Sequence, residues 1–356
     1  MTDMRVPAGA VYNTCMPNVM DGIVTHDRAD IPLFKATGAQ WVREGVPYPF
    51  EDRIGGKVSA RYEKAKALLK HYAGNGIKVM ASVLQPGVAL REPDATGALV
   101  LKWHDHYPKW YGALGTEEFL RNLEAMAEWL AKDLKGMVQA WQVGNELDWL
   151  QFAGPMNPRQ ACDFILRGAK GIKRVAPEAI VGHNMAGCDK AYFFFAYLFS
   201  RENRELMDYC GIDGYYGSWS PGKPEDWACR VKELNDLSGA PVVLNEWGFG
   251  SSGGAMTDEE RRLGVSVCQS RKWSYTWGPG HTPEGQAEFV TKAFAALKPF
   301  RDDGRLLGQF YFRWADQPTC WQCGKPGCPA ETAWGLVDLD GKPKPSYEAY
   351  TRSVKG

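Results

Sequence analysis

Two short segments of the chain place a glutamate in the same setting. Val138-Gln139-Ala140-Trp141-Gln142-Val143-Gly144-Asn145-Glu146 and Pro241-Val242-Val243-Leu244-Asn245-Glu246-Trp247-Gly248 each run through a buried-type strand and deliver a carboxylate at its C-terminal end. Two carboxyl groups facing each other across a pocket can cleave an acetal. One protonates the leaving oxygen while the other attacks, or stabilises, the oxocarbenium-like carbon. The attacking group must stay ionised, which a guanidinium such as Arg43 beside it favours. The acid must stay protonated, which walls of Trp141 and Trp149 type and the second carboxylate favour. A lone Asn-Glu is more often a strand-end residue in a salt bridge. It is the repeated layout, together with Arg43 and Trp314, that points to chemistry.

The elements needed to position such a pair recur along the chain. Eight β-rich runs, at residues 9–13, 41–46, 78–84, 138–143, 180–184, 209–215, 241–245 and 308–314, alternate with helical segments. This is the pattern of a parallel sheet wrapped by helices. Residues 117–134 keep helical period, with Thr116 placed as N-cap, and a helix near residues 61–73 stops at Gly74-Asn75-Gly76. In a chain of 356 residues without a Ser/Gly/Pro linker this predicts one α/β domain, residues 1–356, a (β/α)₈ TIM barrel. The pair then falls on strands four and seven, on opposite sides of the barrel mouth. Three strand-following connections, residues 85–116, 247–282 and 315–334, are enlarged and are expected on the C-terminal face, where barrels carry function.

This layout resembles the clan A glycoside hydrolases, the superfamily containing families 5 and 39, in which an Asn-Glu pair ends strand four and a Glu ends strand seven. The resemblance extends over nearly the whole chain, through Trp41-Val42-Arg43-Glu44, Asp213-Gly214-Tyr215-Tyr216 and Tyr311-Phe312-Arg313-Trp314. It implies a retaining β-glycosidase, with Glu146 as acid/base and Glu246 as nucleophile. Asn145 would contact the sugar 2-hydroxyl, Arg43 would bond the nucleophile, and Trp314 would lie under the sugar in the −1 subsite. Members commonly end strand six with a Tyr that donates to the nucleophile. Tyr215 and Tyr216 both stand there, only one can face inward, and Tyr216 is the preferred reading. Many families place a His two residues before that Tyr; Gly214 here departs from the pattern. Residues 333–346 resemble the final turn and helix entry of many such barrels. Trp247, next to Glu246, joins the substrate-binding candidates, as do His183 and Asn184 at the end of strand five, whose other reading is the capping of loop backbone.

Composition narrows the partner. The 42 basic and 42 acidic side chains cancel, so no global field draws the chain to nucleic acid or an anionic membrane and an uncharged partner is expected; together with the resemblance this implies a neutral β-linked oligosaccharide of gluco, manno or galacto type as substrate. The 14 Trp, 15 Tyr and 15 Phe suit stacking on sugar faces. No cofactor is expected. Nine cysteines argue against a complete disulfide framework and for a reducing compartment; with no signal-like N-terminus and no long apolar run, a cytoplasmic protein is expected, or a secreted one if a signal peptide has been removed. Cys162 falls on an apolar helical stripe as a packing thiol. Cys320-x₂-Cys323-x₄-Cys328 has zinc-knuckle spacing but no evident fourth ligand, which leaves zinc, free thiols or one disulfide open. Trp103-His104-Asp105-His106-Tyr107 offers metal-ligand chemistry or sugar contacts. Two other functions therefore stand beside the glycosidase: a carbohydrate-binding barrel without catalysis, and a metal-dependent hydrolase built on His104, His106 and the cysteines.

Overall fold

A computed structural model describes residues 19–97, 99–187 and 191–356. Eight parallel strands close into a barrel: β1 Met20–Val24, β2 Trp41–Val46, β3 Lys78–Val83, β4 Ala140–Val143, β5 Ile180–Met185, β6 Tyr209–Gly214, β7 Val242–Trp247 and β8 Leu306–Phe312, with β1 pairing β8. Helices follow the strands: α1 Ile31–Ala36, α2 Ala60–Gly74, α3 Glu117–Asp133, α4 Pro158–Val175, α5 Ala191–Leu198, α6 Asp226–Ser238, α7 Pro283–Asp302 and α8 Pro345–Lys355. This is a (β/α)₈ barrel.

The first strand corrects the sequence reading. The run at residues 9–13 lies outside the described residues, and the barrel opens instead with Met20-Asp21-Gly22-Ile23-Val24. Its polar and flexible middle hides it from a hydrophobic pattern, but tertiary contacts satisfy it. Asp21 takes a bidentate bond from Arg301 on α7, at 2.5 and 2.8 Å, and a third from Gln309 on β8 at 3.0 Å. Gly22 admits the Phe310 ring, which would come within 2.4 Å of a Cβ there. The helix termini follow local signals. Thr116 accepts from Phe119 N at the start of α3, and α2 ends at Asn75 with Gly76 at φ +73°.

Strand alternation divides the side chains into two layers. Val42, Val79, Trp141, Val181, Cys210 and Leu244 pack outward against the helices, where Cys162, Ile165 and Ile172 of α4 meet them. Met20, Trp41, Met80, Ala140, Tyr209, Val243 and Phe310 fill the barrel interior. The next interior layer toward the C-terminal mouth is polar: Arg43, Gln142, Asn184, Asp213 and Asn245 are all buried. The three enlarged connections rise above that mouth. The first forms an antiparallel hairpin, Gly87–Pro93 with Leu99–Asp105. The second carries helices Asp258–Arg262 and Val267–Ser270, and the third carries helix Pro329–Thr332.

Candidate active site

Arg43, in the middle of β2 and only 4% exposed, organises the polar layer. Its guanidinium donates through Nη1 to Glu246 Oε1 at 2.6 Å, through Nη2 to Asn145 Oδ1 at 2.8 Å, and through Nε to Gln142 Oε1 at 2.7 Å. Gln142 in turn donates to Asn184 Oδ1 at 2.6 Å and accepts from Asn245 Nδ2 at 2.9 Å. Asn184 donates to Asn145 Oδ1 at 2.8 Å and to the Asp213 carboxylate. A network of linked bonds fixes rotamers where a single pair would not, and within it only Asp213 and Asn245 keep an oxygen without a hydrogen-bond partner. Burial alone would weaken the positive charge of Arg43, but Glu246 and then Asp213 outweigh it and raise its pKa.

Glu246 reaches the mouth because β7 is irregular. Between Leu244 and Glu246 the register with β6 shifts by one residue, so both Asn245 and Glu246 turn toward the barrel axis. The second oxygen of Glu246 accepts from Tyr215 OH at 2.5 Å. Burial, then Glu246 and Asp213, push the Tyr215 phenol well above its usual range, so it remains a donor. Glu146 follows Gly144 and Asn145 off the end of β4 with φ +49°, a conformation costing a non-glycine residue about 1–2 kcal/mol. It is held there by Glu146 N donating to Asn184 O at 3.2 Å and Trp149 N donating to Glu146 O at 2.9 Å. Asp148 clamps the same loop to the end of β5 by accepting from Ala186 N and Gly187 N at 2.8 and 3.1 Å.

Glu146 and Glu246 line one cavity of about 1370 Å³ at the C-terminal mouth. Burial first, then Glu246 and Asp148, raise the Glu146 pKa well above the usual carboxylate range, with Arg43 as the smaller opposing influence. Asp213 is raised likewise, by burial and then by the two glutamates. Another cavity carboxyl, Glu331, is pushed up to about 8 by burial, against a bond from Gln322 at 2.7 Å. The cavity walls include the aromatic rings of Trp149, Tyr215, Trp219, Phe312, Trp321 and Trp334. Tyr215 packs 4.8 Å from Trp334 and 5.7 Å from Phe312, centroid to centroid.

Several expected positions differ. Tyr215 and not Tyr216 faces Glu246: β6 points Tyr209, Asp213 and Tyr215 inward, and Tyr216 packs outside on Trp227 at 4.9 Å. The residue two before the inward tyrosine is thus Asp213, and Gly214 lies on the outer face, where a Cβ would come within 2.6 Å of Trp227. Trp314 is outside the cavity. The strand ends at Phe312, and the Trp314 ring turns between α1 and α8, 5.6 Å from Phe34 and 6.4 Å from Tyr347. Phe312 and Trp334 occupy the cavity wall in its place. Trp314→Ala is accordingly expected to lose about 3–5 kcal/mol of stability with KM unchanged, read by thermal unfolding and steady-state kinetics. Trp247 and Trp141 also face outward, Trp247 against Phe294 of α7 at 5.6 Å.

His183 lies in the outer layer as well. It is buried, donates through Nδ1 to Val143 O at 2.7 Å, stacks on Phe194, and is kept neutral with a pKa of about 3 by burial. Asn184 belongs to the polar layer beneath the cavity. In the hairpin, alternation separates the histidine run: His104 pairs with Glu92 at 2.7 Å, Asp105 accepts from Trp103 Nε1, and His106 lines the cavity. Those three side chains do not converge, contrary to the metal-hydrolase reading. Gln142, Asp213 and Glu331 escape sequence reasoning. For Gln142 the signal is present, since a polar residue inside a buried strand must find partners.

The closed parallel barrel is an architecture shared with known glycoside hydrolases. A GH5_18 protein from Streptomyces cattleya, solved in complex with GlcNAc, is 18% identical with a TM-score of 0.64, over 96% of this chain and 80% of that one. A family 39 glycoside hydrolase from the gut symbiont Bacteroides cellulosilyticus WH2 is 15% identical with a TM-score of 0.63, over 94% and 63% of the two chains. The exo-beta-1,4-mannosidase Op5Man5 from Opitutaceae bacterium strain TAV5 is 17% identical with a TM-score of 0.61, over 95% of this chain and 59% of that one. The chain thus spans less than two thirds of the length of the latter two. At these identities the likeness establishes the fold. No protein-family model and no curated protein matches the sequence.

Proposed function

We propose that this chain is a retaining β-glycosidase in which Glu246 is the nucleophile and Glu146 the acid/base. One observation carries the reading: Glu246 has one oxygen on Arg43 and the other on Tyr215, in the cavity where burial and Glu246 itself raise the Glu146 pKa and so favour its protonated form. Attack of the Glu246 carboxylate on the anomeric carbon, with Glu146 protonating the leaving oxygen, forms a glycosyl-enzyme. Glu146, now ionised, deprotonates a water that displaces Glu246 and restores the starting configuration. Asn145, anchored by Arg43 and Asn184, presents its amide to the sugar 2-hydroxyl. The two carboxyl groups are expected about 5–5.5 Å apart, the spacing that leaves no room for an inverting water.

We propose an uncharged β-linked oligosaccharide as the substrate. Glu246 answers Arg43 in the cavity, while Glu44, Glu146, Asp213 and Glu331 are raised toward their neutral forms, which leaves Arg28, Arg61, Lys64 and Arg91 as the competing case for an acidic sugar. The exposed rings of Trp149 and Trp321, 44% and 47% accessible, offer stacking faces. The test is a panel of aryl β-glycosides (gluco, galacto, manno, xylo and glucurono) with β-glucan and β-mannan, the first-formed anomer being followed by NMR. Hydrolysis of a neutral member with the β-anomer appearing first is expected. An α-anomer first overturns retention, and a preference for the uronide overturns the neutral substrate.

The tyrosine assignment has its own test. Tyr215→Phe removes a hydrogen bond to a charged group, worth about 1.5–3 kcal/mol, and is expected to lower kcat/KM about 10- to 100-fold. Tyr216→Phe should leave it nearly unchanged. Equal effects of the two substitutions would contradict the placement.

A further inference from the structure

The cysteine motif finds its missing partner in the other enlarged loop. The sulfurs of Cys268, Cys320, Cys323 and Cys328 all lie within 4.8 Å of one another. Cys268 Sγ is 3.9 Å from Cys320 Sγ and 3.8 Å from Cys328 Sγ. A disulfide needs about 2.05 Å, and none of the four is in one. Four sulfurs bound to one zinc at about 2.3 Å each stand about 3.8 Å apart, at the corners of a tetrahedron. The observed separations are those of a ligand set.

The local backbone is built for thiolates. The Cys320-x₂-Cys323 turn is closed by Gly324 N donating to Cys320 O at 2.7 Å and Cys320 N donating to Lys325 O at 3.0 Å, with Gly324 and Gly327 at φ +67° and +60°. The amides of Gln322 and Cys323 point at the Cys320 sulfur, and that of Ala330 at the Cys328 sulfur. Cys320 and Cys328 are fully buried among Val267, Trp273, Ala330 and Trp334, while Cys268 and Cys323 close the outer side. Soft ligands alone, with no His or carboxylate among them, select zinc over magnesium, calcium or manganese.

We propose that Cys268, Cys320, Cys323 and Cys328 bind one structural zinc ion that ties the loop after β7 to the loop after β8. Four protein ligands complete the tetrahedron and leave no open position, so the ion does not activate water or touch substrate. Its effect is mechanical. Cys268 itself lines the cavity, as do Val267, Trp321, Gln322 and Glu331 on either side of the ligands, and the ion holds that wall together. Binding displaces the four thiol protons, so the ion is held more weakly in acid.

The test is metal and thiol analysis of the whole protein purified under reducing conditions without chelator. About one zinc per chain is expected, released when a mercurial blocks the four thiols, and lost in Cys268→Ser and Cys323→Ser but kept in Cys229→Ser, which alters an exposed free thiol. To separate metal loss from misfolding of the serine variants, wild-type protein stripped of metal is also titrated with cobalt(II). One equivalent should give the visible absorption of a tetrahedral tetrathiolate. Zinc far below one per chain with no cobalt uptake, iron in its place, or disulfides among these four cysteines overturns the proposal. These readouts need no substrate, so they stand or fall separately from the glycosidase reading. The metal-free protein is further expected to melt at lower temperature and to show a raised KM.

Discussion

Glu246→Ala is expected to abolish turnover of every glycoside, activated or not, with kcat falling by a factor on the order of 10⁵. Without a carboxylate at this point no glycosyl-enzyme can form, and a better leaving group cannot compensate. The substitution also leaves Arg43 buried without its anion, and breaking a buried pair in this way costs about 3–5 kcal/mol. Glu246→Gln, which keeps a hydrogen-bonding side chain of the same size, must therefore be measured beside it, with circular dichroism to show that both are folded. Loss in both folded variants is the expected result. Substantial activity in Glu246→Gln would remove Glu246 from the nucleophile's role.

Glu146→Ala should behave differently. Loss of a general acid is worth about 10²–10⁴-fold on substrates whose leaving group needs a proton. An activated aryl glycoside departs as a phenolate without one, so the first step should survive and the intermediate should persist for want of a base. Azide, which needs no deprotonation, should then restore turnover and give a β-glycosyl azide. The pH dependence follows from the raised pKa of Glu146. In the wild type the acid must be protonated at the start of the cycle, so kcat/KM is full below that pKa and falls as pH rises through it. Glu146→Ala should lose this basic limb. Identical responses of the Glu146 and Glu246 variants to leaving group and azide would contradict the division of roles.

What could be read before folding was what is local. Seven barrel strands show as apolar runs bounded by turn residues, and the two glutamates show because each sits directly at a strand end. β1 does not show, because Asp21 and Gly22 are explained only by Arg301, Gln309 and Phe310, which lie far along the chain. The choice between Tyr215 and Tyr216 depends on which face of β6 looks inward, and composition does not encode that. Trp314 misleads because the resemblance puts it at the end of a strand reaching residue 314, whereas β8 ends at Phe312. The fourth cysteine, 52 residues before Cys320, belongs to another loop, and only closure of the barrel brings the two loops together.

Retention by Glu246 requires a covalent intermediate at that carboxylate, and trapping the adduct is its direct test. The protein would be incubated with 2-deoxy-2-fluoro aryl β-glycosides of the sugars it turns over, then analysed by intact mass and peptide mapping. The fluorine slows both steps by destabilising the oxocarbenium-like transition state, while the activated leaving group lets the first step proceed. Time-dependent inactivation with one fluoroglycosyl group on Glu246 is the predicted result. A label on Glu146 or another residue, or turnover of the parent glycoside to the inverted anomer with no adduct, would contradict it.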